Sequence, residues 1–342
     1  GIHASPTCVL SYGDNGGAIG FLVGEEHQGL RAMFTMMNSA RIAVGVQGVA
    51  ISDAAYQKAL DYAQERRQGR EIGGASHEPA PIIVHPDVRR MLLSMRSQIE
   101  AMRALALYNA AAIDLSRALE GDEAEQWRET AELLTPITKG WCTDVGVEIT
   151  STAVQVFGGM GFIEESGVAQ HFRDMRIAPI YEGTNGIQAM DLVGRKLPMR
   201  MGGVMGDHLA KIKATVDELN AVGGELGAVA ASLADGVAAV ETANAWIFEH
   251  GLADPKQAIA GATPYLGLLG TVTGGWFSAR LALAAHAELA AGSDDVEYLR
   301  AKIVNARFYA THLLPRAAGY LPGVTAGSAL LDEATVEGLA SV

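Results

Sequence analysis

Apolar residues spaced for α-helices recur through almost all of the chain after residue 24, and this pattern restricts it to a mainly helical fold. One predicted helix carries them at intervals of four, three, four and three residues: Val88, Leu92, Met95, Ile99 and Met102. Such spacing lines one face of a helix in a bundle. The stretch from about 26 to 68 contains no proline and predicts a single long helix.

A second helical block follows a predicted linker between Pro198 and Gly206. Its apolar stripes are Leu209, Ile212, Val216 and Leu219, and then Val296, Leu299, Ile303 and Ala306. Three or four helices are predicted in this block, divided by joints that are rich in glycine or contain proline: 223–227, 251–264 and 315–323. In the first block, Pro136 predicts a kink or a break within the helix expected over 123–156.

Strand character is confined to the first 24 residues. Two short apolar runs, 7–12 and 18–23, flank the turn signal Asn15-Gly16 and predict a β-hairpin. Because an isolated hairpin is only marginally stable in water, we expect it to be the end of a larger β domain. The predicted organisation is a β remnant over 1–25, a helical bundle domain over 26–200 and a second helical bundle over 203–342.

Composition excludes several classes of partner. The formal net charge of −13 argues against nucleic acid or an anionic membrane surface. Two isolated cysteines, without a dense cluster of cysteine and histidine, predict no metal site and fit a reducing cytoplasm. No apolar run approaches the roughly 20 residues that a membrane-spanning helix needs, so no membrane span is expected.

The segment from Ala178 to Gln188 holds the densest cluster of residues that could carry chemistry. Thr184 or Asn185 is placed to cap the helix that follows, which leaves Glu182 about one turn outside that helix. If it is buried among apolar residues and glycines, a carboxylate there becomes a better general base. The alternative is a capped helix with an incidental glutamate, and the spacing alone leaves both interpretations open.

Two further segments each have a structural and a functional interpretation. Gly158 and Gly159 follow a predicted helix, where they either cap it or expose backbone N–H groups to a phosphate or a ring edge. Arg66 and Arg67 lie at the end of the long predicted helix. Cations there either stabilise the helix C-terminus or form a fork that binds pyrophosphate.

Taken in order, these segments resemble the acyl-CoA dehydrogenase family. Residues 155–161, 172–176 and 180–185 are similar to the family's C-terminal signature almost residue for residue, and 59–67 is similar to another family segment. The resemblance covers roughly residues 1–197. The block from 203 onward resembles the family's long branch, which has an added helical domain and includes 3-(methylthio)propanoyl-CoA dehydrogenases.

The resemblance implies FAD-dependent dehydrogenation of an acyl-CoA thioester, in which a glutamate removes the α-proton and the flavin N5 accepts the β-hydride. It implies that Glu182 is the catalytic base. The residues that it places at the substrate are Asn38, Arg41 and Gly183. The residues that it places at FAD are Arg66, Arg67, Gln68, Gln155, Val156, Phe157, Gly158, Gly159, Thr184, Asn185 and Gly186.

Partners are implied in the same way. Residues 155–159 match a stretch that touches the FAD of a neighbouring subunit, which implies a homodimer or a larger homo-oligomer. An electron-transferring flavoprotein is the implied electron acceptor. The chain departs from the family after the arginines, where Gly69-Arg70 and a long loop precede Pro86. A glutamine that the family often has near the FAD adenine falls at Pro86, so the resemblance does not carry that contact over to this chain. The chain resembles the C-terminal part of the family, so we expect it to bind FAD weakly by itself.

Two alternative functions are compatible with this fold. An acyl-CoA oxidase would pass its electrons to oxygen, and peroxide formation in air would distinguish it. A non-catalytic relative would use the fold for binding or as a scaffold. Residues 203–342 contain eight Lys and Arg against fifteen Asp and Glu, so they offer no basic face for DNA.

Overall fold

The computed structural model describes residues 1–340, apart from the side chain of Thr35, and it is mainly helical as predicted. The first block contains six helices: α1 (Gly29–Glu65), α2 (Pro86–Ala118), α3 (Gly121–Phe157), α4 (Gly159–Phe162), α5 (Val168–Met175) and α6 (Asn185–Asp191). The remaining helices of the described chain are α7 (Gly203–Val222), α8 (Glu225–Gly251), α9 (Pro255–Ala260), α10 (Ala262–Ala290), α11 (Val296–Phe308), α12 (Arg316–Thr325), α13 (Ala329–Glu333) and α14 (Val336–Ala340). Short 3₁₀ segments occupy Ile82–Val84, Glu164–Ser166 and Met199–Gly202, and π-helical segments occupy Leu192–Lys196 and Tyr309–Leu313.

The predicted hairpin over 7–24 is wrong, because residues 1–340 contain no strand. The predicted turn does form, with the N–H of Gly17 donating to the carbonyl of Gly13 at 3.1 Å. The flanking apolar residues are nearly fully exposed, as Val9 (97%) and Ile19 (93%) illustrate. With no neighbouring strand or apolar face to cover these residues, the extended pairing has nothing to stabilise it.

The structure differs from the sequence-based prediction at three expected interruptions of the helices. Helix α3 continues through Pro136, which is buried inside it, because packing on both sides outweighs the lost backbone hydrogen bond. Residues 316–325 form α12 rather than a joint. Helix α7 begins at Gly203, inside the predicted linker, and the chain turns just before it at Arg200 and Met201, which have left-handed φ values of 47° and 54°.

Helix α8 is more apolar than the sequence analysis indicated. By length and composition alone it is apolar enough to cross a membrane, which the sequence had not suggested. Half of its most apolar stretch is buried inside the protein. Its buried residues, such as Leu233 and Val240, belong to the continuous core of the helical blocks.

Close packing of α1 against α3 sets the frame of the first block. A Cβ atom at Gly45 would lie 2.6 Å from the carbonyl oxygen of Thr138, so only glycine permits this approach. Further along both helices, the ring of Tyr62 stacks on that of Phe157 with centroids 4.1 Å apart. The two helices therefore run parallel, and both end on the same side of the bundle.

The two helical blocks share one continuous hydrophobic core. Trp141 of α3 lies against α10, where a Cβ atom at Gly270 would come within 2.3 Å of its ring and one at Gly274 within 2.5 Å. Two glycines one turn apart thus form the surface that receives the indole. Helix α10 consequently packs directly on the helix that carries much of the candidate site.

A buried carboxylate also joins the blocks. Glu100 of α2 accepts hydrogen bonds from Arg96 (2.6 Å) and, across the boundary, from Lys302 (2.9 Å) and Asn305 (3.0 Å) of α11. Burial by itself disfavours the charged carboxylate, but the three donors outweigh it and lower the pKa of Glu100. The carboxylate is therefore a stabilising link in its ionised form.

Glu100→Gln is expected to lower the free energy of unfolding at pH 7 by about 2 kcal/mol, the scale of hydrogen bonds to a charged group. The folded-state pKa is lower than the ordinary value of 4.5, so this stability is present above about pH 4.5 and is lost as the pH falls through the folded-state value. Urea unfolding at pH 7 and at acidic pH measures it. A difference between the proteins that persists unchanged in acid would contradict the assignment.

Candidate active site

Glu182 lies on a strained turn between α5 and α6. Its φ is +55° and that of Gly183 is +80°, so two consecutive residues adopt the left-handed conformation. For a residue with a side chain this conformation costs about 1–3 kcal/mol and persists only where its surroundings hold it. The backbone N–H of Glu182 donates to no group within residues 1–340, so a donor lies free beside the carboxylate.

The helix that follows is capped as the sequence predicted. The hydroxyl of Thr184 accepts a hydrogen bond from the N–H of Ile187 at 3.3 Å. Thr184 and Gly186 are exposed. Both are therefore accessible from outside, as a residue in contact with a cofactor must be.

Asn185 has a different role, because its side chain points inward and is almost fully bonded. Its amide nitrogen donates to the carbonyl of Gly140 (3.0 Å), the hydroxyl of Thr143 (2.9 Å) and the carboxylate of Asp144 (2.7 Å). Its amide oxygen accepts from the ammonium group of Lys139 at 2.8 Å. Only the backbone of Asn185 is left for a cofactor.

Lys139 is completely buried in α3. Burial lowers its pKa to about 8, opposed by the negative charges of Asp144 and Glu182, and Arg41 lowers it further. Burial likewise raises the pKa of Asp144, against which the hydrogen bond from Asn185 acts. A buried cation and a partly exposed carboxylate thus lie on either side of one amide.

Arg41 is brought to the same place by α1. It is buried and pairs with Asp191 at 3.4 Å, and Asp191 also accepts from Arg195. Gln188, which is fully buried, donates to the carbonyl of Gly183 at 3.3 Å. Two buried atoms here have no partner among the described residues, namely Nε of Arg41 and Oε1 of Gln188.

An open cleft of about 450 Å³ borders this turn. Its wall is formed by α3, by the chain that leads into the turn and by the start of α6: Asp144, Val147, Glu148, Arg176, Pro179, Ile180, Thr184, Asn185 and Gly186. The cleft meets the predicted cofactor-binding residues 184–186 and Asp144. Asn38 lies three residues before Arg41 on the same helix, and it is exposed.

The arginine segment differs from its predicted form, because α1 ends at Glu65 and the arginines lie beyond it. Arg67 pairs with Pro81 in an isolated antiparallel bridge, and its guanidinium donates to the carbonyl of Pro79 at 3.0 Å. The carbonyl of Gln68 accepts from the ring of His85 at 2.7 Å. Arg66 is exposed, and its side chain has no polar partner within residues 1–340. Neither arginine lies in the last turn of α1, and Arg66 is free to bind a ligand.

The glycine segment caps α3, which was one of the two interpretations of its sequence. Gly158 has a φ of +59°, and its N–H donates to the carbonyl of Gln155 at 3.0 Å. Val156 and Phe157 are buried, while Gln155, Gly158 and Gly159 are exposed. The side chains of Val156 and Phe157 belong to the core, so only their backbone could reach a ligand.

The predicted site residues therefore form two groups, which lie towards opposite ends of helix α1. Arg41, beside the Glu182 turn, precedes Arg66 by 25 residues of α1, a rise of about 37 Å. The stacking of Tyr62 on Phe157 places the arginine and glycine segments together at the far end. One chain does not bring both groups to a single small ligand.

Four residues of the turn's surroundings escaped the sequence-based predictions: Lys139, Asp144, Gln188 and Asp191. One signal for Lys139 was present, because Lys139 and Asp144 are the two charged residues between positions 133 and 145. Whether such a charge is exposed or buried is decided only by the tertiary structure.

Two family models match the chain. "Acyl-CoA dehydrogenase, C-terminal domain" covers residues 27–197, and "Acetyl-CoA dehydrogenase C-terminal like" covers residues 208–334. The chain is 50% identical over 319 residues to 3-methylmercaptopropionyl-CoA dehydrogenase of Ruegeria pomeroyi. The matched region covers 92% of this chain and 53% of that protein. The chain spans about half the length of the curated relatives it matches.

Solved structures share the fold. ACDH-11 of Caenorhabditis elegans in complex with C11-CoA superposes with a TM-score of 0.70 at 17% identity, over 85% of this chain and 46% of that one. The acyl-CoA dehydrogenase of Bacillus anthracis complexed with FAD gives a TM-score of 0.62 at 19% identity, over 92% and 52%. The predicted resemblance is confirmed, and the chain belongs to the acyl-CoA dehydrogenase family.

Proposed function

We propose that this chain carries the catalytic base of an FAD-dependent acyl-CoA dehydrogenase, and that Glu182 is this base. The observation that supports it is the strained turn, which brings the Glu182 carboxylate within range of the charge of the buried Lys139 and sets Gly183 close to the buried Arg41. The residues on either side of the turn, Ile180 and Thr184, line an open cleft. A turn that served only to cap α6 would need no left-handed glutamate.

The same turn offers a way to stabilise the charge that develops on the substrate. Removing the α-proton of a thioester builds negative charge on the thioester oxygen, and a hydrogen-bond donor placed there lowers the barrier. The free N–H of Glu182 is such a donor, adjacent to the carboxylate that takes the proton. Gly183 lies close to the side chains of Arg41 and Gln188, each of which has one buried atom without a partner among the described residues, and it is the proposed neighbour of the acyl-CoA.

FAD fits the described residues in two places. The cleft next to Thr184 and Gly186 is open and of a size that accepts a ring system. At the other end of the bundle, Arg66 is a free cation, and Gly158 and Gly159 expose backbone next to it. When bound, FAD supplies the acceptor for the β-hydride, while the protein supplies position and electrostatics.

Two copies of the chain are needed if both groups of residues contact FAD. The rise of about 37 Å along α1 is longer than a flavin dinucleotide, so the arginine segment of one subunit would serve the flavin beside the Glu182 turn of another. This supports a homo-oligomer. An electron-transferring flavoprotein as acceptor and a cytoplasmic location are further parts of the proposal, and both rest on the family resemblance.

The activity is tested by mixing the intact, flavin-loaded protein with saturated acyl-CoA thioesters without oxygen. We expect the flavin absorbance to bleach with at least one short-chain thioester. Bleaching by none of a series from short to long chains would overturn the proposed function. Sedimentation of the same sample at micromolar concentration tests the oligomer, which a strictly monomeric mass would exclude.

Arg66→Ala is expected to weaken FAD binding about 10- to 100-fold, the value of a charge-assisted hydrogen bond to pyrophosphate. Because Arg66 is exposed and has no partner within residues 1–340, the melting temperature of the flavin-free protein should not change. Arg300→Ala, which removes another exposed arginine far from both segments, is the matched control. Equal FAD affinity in the two variants, measured by titration calorimetry, would remove Arg66 from the site.

A further inference from the structure

Lys139 is a charged residue in the interior of α3 with an unusual lack of polar partners. Its side chain is fully buried, and among the described residues it has a single hydrogen bond, 2.8 Å long, to the amide oxygen of Asn185. A buried ammonium group is expensive unless it is paired. Its position therefore needs an explanation beyond packing.

Asn185 connects Lys139 to the turn that carries Glu182. The backbone N–H of Asn185 donates to the carbonyl of Pro179 at 2.9 Å, which closes the loop in which Glu182 lies. The amide group of the same residue is fixed to α3, and Lys139 is the group that holds its oxygen. The contacts thus run from Lys139 through the Asn185 side chain to the backbone of the loop.

The charges that face Lys139 come from three elements. Asp144 lies on its own helix, Arg41 on α1 and Glu182 on the turn. Arg41 is already paired with Asp191, and the charge of Asp144 is met by the amide of Asn185. Lys139 is therefore a buried cation without a carboxylate in hydrogen-bond contact, and its charge acts on Glu182.

Accepting the proposed function, we infer that Lys139 is a positioning residue for proton abstraction. Through Asn185 it fixes the left-handed turn, and its positive charge holds the Glu182 carboxylate in place for the α-carbon. Loss of that charge in alkaline solution frees the turn and slows the reaction.

This inference predicts how the reaction depends on pH. The pKa of Lys139 is lowered to about 8 by burial. The rate of anaerobic flavin bleaching by acyl-CoA should therefore fall as the pH rises through about 8 in the unmodified protein. A rate that is level from pH 7 to pH 10 would overturn the inference without any variant.

Lys139→Gln removes the charge but keeps a donor for Asn185. We expect flavin bleaching in this variant to be about 10- to 100-fold slower at pH 7, the scale of a misplaced catalytic group. Its bleaching rate should also no longer fall as the pH is raised. Lys139→Arg keeps its charge at every accessible pH and should also lack the decline while retaining more of the rate. Lys213→Met, at an exposed position of α7, is the control and should behave as the unmodified protein.

The outcomes separate the inference from the proposed function. If acyl-CoA does not bleach the unmodified protein, the proposed function fails. If it does, but Lys139→Gln retains the rate and the pH profile, only the role of Lys139 fails. A lower melting temperature with an unchanged pH profile would assign Lys139 a purely structural role and would also overturn the inference.

Discussion

Glu182→Gln is expected to slow anaerobic flavin bleaching by acyl-CoA at least ~10²-fold, the lower end for the loss of a positioned general base. The substitution keeps the size and hydrogen-bonding capacity of the side chain, so the fold and the affinity for FAD should remain nearly unchanged. What it removes is the ability to accept the α-proton. Stopped-flow measurement of the flavin absorbance gives the rate directly.

The matched control is Glu165→Gln, because Glu165 is an exposed carboxylate in the nearby 3₁₀ segment. Its rate should equal that of the unmodified protein. If instead Glu182→Gln bleaches at the normal rate, Glu182 is not the base, and Glu164 and Glu165 become the carboxylates to examine. The cap interpretation would then stand, since Thr184 does cap α6.

Gly183→Ala is less informative about substrate binding than the sequence suggested. A methyl group there would lie 2.8 Å from the side-chain nitrogen of Gln188, and the φ of +80° disfavours any residue with a side chain. Slower turnover in this variant would therefore report strain in the turn as much as contact with a thioester. Glu182→Gln avoids this ambiguity because it leaves the backbone preference unchanged.

Asn185→Ala is expected to lower the free energy of unfolding by about 3–5 kcal/mol, the scale for leaving a buried charge, here that of Lys139, without its partner. The change leaves the ammonium of Lys139 and the carboxylate of Asp144 without the amide that joins them. It also removes the bonds to Gly140 and Thr143. Each buried group that loses its partner adds to the loss.

Thr184→Ala is the matched control for this prediction, because it removes only the cap of α6 and should cost about 1 kcal/mol. Urea denaturation of both variants and of the unmodified protein, at one pH and ionic strength, measures the difference. Equal losses in the two variants would mean that the buried amide contributes no more than a helix cap. The hydrogen bonds of the Asn185 side chain would then contribute less to the free energy of unfolding than their number suggests.

The helical class followed from local sequence, because the pattern of Val88, Leu92 and Met95 requires a helix whose apolar face is covered. The cap at Thr184 followed for the same reason, since it depends on residues within one turn. The glycine cap at Gly158 is equally local. Features of this kind need no knowledge of distant parts of the chain.

The predictions of a hairpin over 7–24 and of a break at Pro136 were wrong because both features depend on which other parts of the chain pack against them. The apolar residues near Val9 have nothing to pair with among the described residues, and Pro136 has close packing on every side. A turn signal or a proline states a local preference, and tertiary contacts then decide whether it prevails.

The candidate site likewise has features that local sequence determines and features that depend on tertiary contacts. Sequence determined that Glu182 stands between Tyr181 and Gly183 just before a capped helix, and with it the family to which the chain belongs. Only the tertiary structure brought Arg41 and Lys139, distant from the turn by more than 40 residues, to that glutamate and oriented Asn185 inward. The reason is physical: the charge balance of a buried site depends on groups from α1, α3 and α6 that meet only when the helices pack.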